Sequence, residues 1–515
     1  MYIEESYYFW RLASDIMINH EFEVLQLDEN KEEIWLERRD KNTSYVVRLS
    51  HQSFDWANQI KQDQRLLEQN VNRVKKVLAS RKLVIHNVYI AQYPPVDDWE
   101  EVSKTRNLNQ NKNITLHTFY LDHMGRAEEM KKLYHTLSLP EPDFQQPSEM
   151  EMEQMIGYLQ QSIKNNHERK RKERQEIFAF GKPILTYLLI AINLIMFTII
   201  EWNGGSTDTY TLVEYGAKYN PAIIDGEWWR IVSSMFLHIG FLHITLNMLA
   251  LYVLGSVVER MYGSIRFLPI YFIGGIVGGL ASFAFTPNVA AGASGAIYGL
   301  FGALLFFGVV YRKLFFQTIG MNVIIILVLN IGFSIVMPQV DNGAHLGGLL
   351  GGFLASSMVH LPRNKAWGRQ LGSLALIAVV AAGLGYYGLN HSDNHYDAAI
   401  QAQVGSGYLQ NDEFDKAIDI ANRALPRTEE NNDLLYFVRG NGYYGQKEYE
   451  KAKADYQKAI SLNANRFEAY INLSIIYRDV EQNQSEALKL AKKAQSIDPG
   501  NEKAKEIIQS LGESG

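Results

Sequence analysis

The middle of this chain is apolar and both ends are polar. Between residues 184 and 390, apolar runs fall at about 184–202, 231–254, 265–285, 293–311, 315–336, 341–360 and 370–389. A helix needs roughly 20 apolar residues to cross a bilayer, so each run is a candidate span. Several runs are rich in glycine, which is commoner in membrane helices than in soluble ones. Residues 1–165 read differently. Phe22 to Leu27, Glu33 to Glu37, Ser44 to Leu49, Leu83 to Ile90 and Thr115 to Leu121 have strand character, with turn residues between them. Residues 6–20, 54–79 and 148–175 have helical character. The pattern predicts a soluble α+β domain over 1–165, a basic linker over 166–183, a six-span core over 184–362 and a seventh span over 363–390.

The C-terminal region repeats itself. Gly405, Tyr408, Ala417, Ala421 and Ala424 recur as Gly440, Tyr443, Ala452, Tyr456 and Ala459. They recur less fully as Ser474, Tyr477, Ala487, Ala491, Ala494 and Pro499, at a period of 34–35 residues. The pattern resembles the tetratricopeptide repeat, in which small residues let the two helices of each unit pack closely. Three units over 396–512 predict an all-α solenoid. Its concave surface suits protein partners; a rigid spacer or a stabilising cap is the other reading.

Charge adds a topology. Basic clusters lie at Arg169-Lys170-Arg171-Lys172-Glu173-Arg174, at Arg260 and Arg266, at Arg312 and Lys313, and at Arg363, Lys365 and Arg369. The intervening loops are poor in Lys and Arg, with Lys218 and Arg230 in the long first one. All four clusters share one side if the N-terminus is cytoplasmic, and seven spans then put the C-terminus outside. The run at 169–174 reads as a topology anchor, with a specific lipid site as the alternative. The 515 residues allow about three domains. A net charge of −6 is small for this length and gives no footprint of a nucleic-acid partner. Without cysteine there are no disulfides, thiol catalysis or cysteine metal sites. The first residues lack the basic and apolar regions of a signal peptide. Seven histidines precede the first span: His20, His51, His86, His117, His123, His135 and His167. None are paired at i,i+4, which favours ordinary histidines over a divalent-cation site.

Two apolar runs begin with groups that can do chemistry. Ser294 follows Gly292-Ala293 at the head of one, and His345 stands near the head of another. Ionisable groups in a membrane segment are costly and mark function. A serine becomes a nucleophile when a base takes its proton. Gly295 and Gly299 follow the serine, and Gly348 and Gly352 lie at i+3 and i+7 from the histidine. Small residues at such spacing let membrane helices approach closely. Both helices run inward from the external face, which predicts similar depths for Ser294 and His345. The second run adds His238, His243 and Asn247, the last two on one helical face. With the Ser294 amide at a helix N-terminus, His243 and Asn247 form a candidate oxyanion hole. Asp341 is expected in the external loop, so the reading is a dyad. Other readings stay open: a serine that only bonds its own backbone, and zinc held by His238, His243 and His345.

These residues resemble the Gly-x-Ser-Gly and Ala-His-x-x-Gly-x-x-x-Gly signatures of the rhomboid intramembrane serine proteases. The resemblance covers roughly residues 180–362. It implies Ser294 as nucleophile, His345 as general base, and His243, Asn247 and the Ser294 amide as the oxyanion hole. It also implies that Tyr298 packs against His345, that Trp229-Arg230 matches the Trp-Arg pair of the first external loop, and that Glu259 is structural. His238 would support a water-accessible cavity. With the N-domain, the seventh span and the repeats, the chain resembles the Gram-positive bacterial GluP type. The expected protein is a multi-pass enzyme of the bacterial cell membrane that cuts transmembrane segments of other proteins near the external face. It needs no cofactor, metal or nucleotide, and its partners are membrane-protein substrates, proteins held by the repeats, and lipid. The rival readings are a non-catalytic adaptor binding clients through its repeats, and a transporter, which would need the mid-span acidic groups and inverted repeat that the chain lacks.

Overall fold

Strand-forming stretches at the N-terminus build one mixed sheet. The computed structural model describes the chain except residues 1–2, 29, 41, 79, 109–112, 143, 145–146, 338–339, 363–366, 392–394 and 513–515, and the side chains at 73, 76, 77 and 174. Arg363 and Lys365 of the fourth basic cluster lie outside the described residues. Helix α1 (Ile3–Ile18) leads into a meander of β1 (Glu23–Asp28), β2 (Glu33–Asp40) and β3 (Thr43–His51). Helix α2 (Ala57–Leu78) crosses to β4 (Lys82–Ile90), which lies parallel to β3. A short α3 (Glu100–Ser103), β5 (Arg106–Asn107) and β6 (Ile114–Leu121) complete the order β1-β2-β3-β4-β6-β5. Helices α4 (Arg126–Thr136) and α5 (Glu149–Phe178) follow.

Parallel strands are covered on both faces, which is why β4 is nearly continuous in apolar residues. Leu83 and Ile85 pack with Leu67 and Val71 of α2, while Val88 and Ile90 pack with Phe9, Leu12 and Ile16 of α1. The five expected strands are present. Helices α3 and α4 and strand β5 have no counterpart among the expected elements, because they are short or carry few apolar positions. Residues 166–178, expected as linker, are the last turns of α5.

The second unit holds the apolar helices and the repeats, Phe178–Val310 and Met321–Gly515. Its first members are α6 (Ile184–Trp202) and, in the following loop, α7 (Thr209–Glu214), α8 (Asn220–Ile224) and α9 (Arg230–Ser233). Helix α10 (Gly240–Ala250) runs through a π-turn at Leu251–Gly255 into α11 (Ser256–Tyr262). Then come α12 (Ser264–Phe285), α13 (Ser294–Val310), α15 (Gly320–Val336), α16 (Asn342–Val359) and α17 (Trp367–Asn390), while α14 (Arg312–Thr318), between α13 and α15 in the chain, is not part of this unit. Helices thus occupy all seven apolar runs. Among the described residues four helices qualify as spans by length and apolarity alone, and a fifth if α14 and α15 are one bent span. The second run departs from its expected bounds. Its helix begins at Gly240 rather than 231, because Gly240 has φ +73° and the chain is extended at Leu237 and Ile239. His238 therefore precedes the helix instead of lying in it.

Residues Tyr311–Gly320, with α14, belong to the N-terminal unit. Lys313 Nζ donates to Glu37 Oε2 at 2.6 Å and to Glu23 Oε2 at 2.9 Å. Glu37 is wholly buried and also accepts the Ser44 hydroxyl. A buried carboxylate needs such a partner, since one left alone is costly.

The repeats form helix pairs α18 (Ala398–Gln410) with α19 (Phe414–Ala424), α20 (Asn432–Gly445) with α21 (Tyr449–Leu462), and α22 (Phe467–Asp479) with α23 (Gln484–Ile497), followed by α24 (Glu502–Gly512). The repeated alanines Ala417, Ala421, Ala424, Ala452, Ala459, Ala487, Ala491 and Ala494 are all buried. The first pair packs on the loop between α6 and α10. Gly407 lies against the Tyr210 ring, Tyr408 donates to Glu214 at 2.9 Å, the Tyr219 hydroxyl donates to Gln401, and Arg423 pairs with Asp225 at 2.7 Å.

The N-terminal sheet should be acid-sensitive. His86 is buried, with its ring 5.1 Å from that of His117. Burial, with His117 adding, pulls His86 down to about 3, and burial also lowers His117. Both folded and unfolded chains are neutral there above about pH 6.5, so nothing is gained or lost. Below it the unfolded chain takes up protons that the fold refuses, and stability falls down to the folded pKa. Between pH 7 and pH 5, His86 alone should cost about 2 kcal/mol. Urea unfolding of this unit should show that loss, and His86→Phe should flatten it; an equal loss in the variant would remove His86 as the cause.

Candidate active site

Glycine is what lets the helices that carry Ser294 and His345 come together. A Cβ on Gly348 of α16 would stand 2.0 Å from the Gly295 carbonyl oxygen of α13, and one on Gly352 2.0 Å from that of Gly299. A Cβ on Gly302 would meet the Leu349 carbonyl oxygen at 2.2 Å. The backbones are therefore in direct contact along the stripes that follow Ser294 and His345. Helix α12 joins them through Gly274 and Gly278, which lie against Gly299 and Gly295. Ser294 is the first residue of α13, and His345 lies in the first turn of α16. The His345 ring stacks on Tyr298, one turn beyond the serine, with centroids 4.1 Å apart and planes 12° from parallel. Among the described residues no hydrogen bond joins Ser294 to His345, and His345 Nδ1 has no partner. Nucleophile–base contacts often tighten only when substrate binds.

Asp341 is engaged elsewhere. As N-cap of α16 it accepts the Ala344 N–H at 2.8 Å, and the Ser282 hydroxyl donates to it. Stacking on Tyr298 therefore orients the histidine ring.

The stretch that delivers Ser294 is held from several sides. Gly292 has φ +152°, and its Cα faces the His243 ring so closely that a Cβ would come within 2.9 Å of Cε1. Its N–H donates to the Ser234 carbonyl at 2.9 Å. The Ala293 N–H points at His238 Nε2 across 3.4 Å. His238 is wholly buried, and through that contact it holds the turn that precedes Ser294. His243 Nδ1 accepts the Ile239 N–H at 3.3 Å. In a neutral imidazole the proton is then on Nε2, the nitrogen nearer Gly292. Asn247 uses one N–H on the His243 carbonyl at 2.9 Å, and its amide nitrogen carries a second.

The supporting residues have structural partners. Arg230 is buried and donates to the Val213 and Ala217 carbonyls at 2.6 and 3.2 Å and to Glu227 at 2.7 Å. Its guanidinium lies 4.9 Å from the Trp229 ring centre. Glu259 is buried and caps α6, accepting the Leu185 and Thr186 N–H groups at 3.0 and 2.8 Å and the Thr186 and Ser264 hydroxyls at 2.7 and 2.6 Å. Sequence reasoning gave no role to Ser234, Ser282 or Lys218. For Lys218 the signal was available, as a lysine in a loop poor in basic residues.

The chain is similar to known proteins. The Rhomboid domain family matches residues 225–362, and a tetratricopeptide repeat matches 434–466. The chain is 36% identical over 473 residues to "Rhomboid protease GluP" of Bacillus subtilis (strain 168), covering 92% of each chain. It is 33% identical over 188 residues to "Putative rhomboid protease YdcA" of the same organism, covering 36% of this chain and 93% of that one. "RHOMBOID-like protein 5" of Arabidopsis thaliana is 38% identical over 148 residues, 28% of this chain and 48% of that protein.

A side chain at the glycine contact should separate the helices. Gly348→Ala is expected to lower the melting temperature in detergent and to cut turnover, since overpacking a tight core costs about 1–3 kcal/mol. Gly383→Ala, with nothing within 4 Å of its added Cβ, is the control and should melt as wild type. Identical melting and turnover in Gly348→Ala would mean that the helices do not touch there.

Proposed function

The chain belongs to the rhomboid family of serine proteases, and on that footing we propose that it cuts peptide bonds within the membrane by a dyad of Ser294 and His345. The observation that carries this reading is the stacking of His345 on Tyr298, one helical turn from the serine that heads the same helix. Ser294 Oγ attacks the scissile carbonyl carbon while its proton passes to the His345 imidazole. The carbonyl oxygen becomes an oxyanion, and the Ser294 amide, His243 Nε2–H and Asn247 are its donors. Such donors are effective because they are fixed before charge develops. His345 then protonates the leaving amine, and water releases the acyl group by the same steps in reverse order.

A helix in the bilayer has its backbone groups already bonded, so a substrate must unwind locally to present a carbonyl. Small helix-breaking residues near the cut favour that. Both reactive residues head their helices, which supports cleavage near the external face. The repeats hold the external part of a client and raise its effective concentration at the site. Their packing against the loop between α6 and α10 also supports an additional adaptor role. Two facts support a cytoplasmic N-domain and external repeats in a bacterial cell membrane. Lys313 ties the N-terminal sheet to the loop after α13, which the basic clusters assign to the cytoplasm. The repeats pack on a loop that the same counting assigns outside.

Ser294→Ala and His345→Ala should each lower turnover of a transmembrane substrate in liposomes by at least about 10³-fold, with the double variant no worse, because such pairs act as a unit. His243→Ala and Asn247→Ala should each slow the reaction by up to about 10²–10³-fold. Near wild-type turnover in either dyad variant would end the assignment. Protease added to intact spheroplasts should digest residues 396–512 and spare residues 1–165; the reverse pattern would invert the topology.

A further inference from the structure

Lys218 lies in the loop between α7 and α8 and is among the largest fully buried side chains of the protein. Its ammonium donates to the Thr286 and Asn288 carbonyls, both at 2.8 Å. Its backbone forms an antiparallel bridge with Ala290, at 2.9 Å from N to O and 3.0 Å in return. Four points of contact with one short segment are thus made by a single residue. That segment, Thr286 to Ala293, connects the end of α12 to Ser294. Asn220 adds a bond from its amide to the Thr286 carbonyl at 3.0 Å.

A buried lysine is expensive and is rarely retained without a use. The groups it serves here are backbone carbonyls at the C-terminal end of α12 and just beyond it, where helix carbonyls lack partners of their own. A cation suits that end of a helix. Burial pulls Lys218 down to about 7, against the opposing effect of the Asp341 carboxylate. Protonated or neutral, the amine keeps two N–H groups for the two carbonyls. Its hold on the segment therefore does not depend on which form is present.

We propose that Lys218 is a positioning residue for the reaction: by clamping residues 286–290 it sets the place of Ser294 and of the Ser294 amide against His345 and the oxyanion donors. It acts through the backbone and touches no substrate. The segment needs such a clamp. Among the described residues, its hydrogen bonds to elements other than α12 and α13 are those of Lys218, Asn220 and the Gly292 and Ala293 N–H groups, and Val289 and Ala291 pack in an apolar cluster with Leu212 and Ala217. A displacement of about 1 Å at a reacting group can cost roughly 10²-fold in rate.

The inference rests on the reading of Ser294 as nucleophile. The test uses the full chain in liposomes, with active sites titrated by a fluorophosphonate and turnover measured on a transmembrane substrate. Lys218→Met should lower kcat per titrated site by about 10–100-fold and slow labelling of Ser294 in step, with KM nearly unchanged. Lys218→Gln keeps an N–H for the carbonyls and should recover part of that loss. Equal kcat per titrated site in Lys218→Met and wild type, whatever the yield of folded protein, overturns the proposal. So does an equal loss in the Met and Gln variants, or a change confined to KM. Wild-type protein that takes no label on Ser294 would sink the nucleophile assignment itself, a different result from a labelled wild type beside a fast Lys218→Met.

Discussion

Backbone contact between α13 and α16 is the constraint on which the site depends. Apolar side chains gain little by meeting each other in a bilayer, because lipid tails are equally apolar. Close approach has to come from the absence of side chains. Gly295, Gly299 and Gly302 on one helix and Gly348 and Gly352 on the other supply it, with Gly274 and Gly278 of α12 completing the contact. The distance between helices then fixes the distance between their heads, and Ser294 and His345 stand at those heads. One added methyl at Gly348 or Gly352 would stand 2.0 Å from a carbonyl oxygen, so the separation has no slack on the near side.

The heads need separate control, because a helix N-terminus frays more readily than its middle. On the histidine side, Asp341 caps α16 and Tyr298 stacks on the ring. On the serine side, the turn before α13 is held by the Ser234 carbonyl, His238 and the Lys218 bridge. These partners come from the loop between α6 and α10 and from its continuation to α10. That loop also carries the Arg230 bonds and the docking surface of the first repeat pair. Residues that look peripheral to the candidate site are thus part of the frame that holds Ser294.

The candidate site was legible in the sequence because few residue types can do such chemistry inside an apolar run. Ser294, His345, His243 and Asn247 stood out as polar groups where polarity is costly, and the glycine stripes gave their faces. The repeat period was legible for a similar reason: alanines such as Ala452 and Ala459 must be small to let paired helices meet, and they are wholly buried. What was not legible depends on backbone conformation. The start of the second span at Gly240 rests on a positive φ, and the real place of His238 follows from it. In the N-domain, α4 has only Leu133 and Tyr134 among its buried apolar residues, too few to set a period. Lys218 was visible as a lone lysine, but its acceptors are main-chain carbonyls, which sequence cannot display.

Among the described residues no carboxylate bonds to His345, and that has a physical reason in this setting. In soluble serine proteases a buried aspartate fixes the histidine's tautomer and steadies the imidazolium. Placing another ionised group among apolar helices would add a large desolvation cost. Asp341 shows where the chain puts its charge instead. It sits at the helix N-terminus, satisfied by the Ala344 N–H and the Ser282 hydroxyl, where the helix dipole favours an anion. Ring orientation is then left to Tyr298, whose stacked face restrains the imidazole without introducing charge.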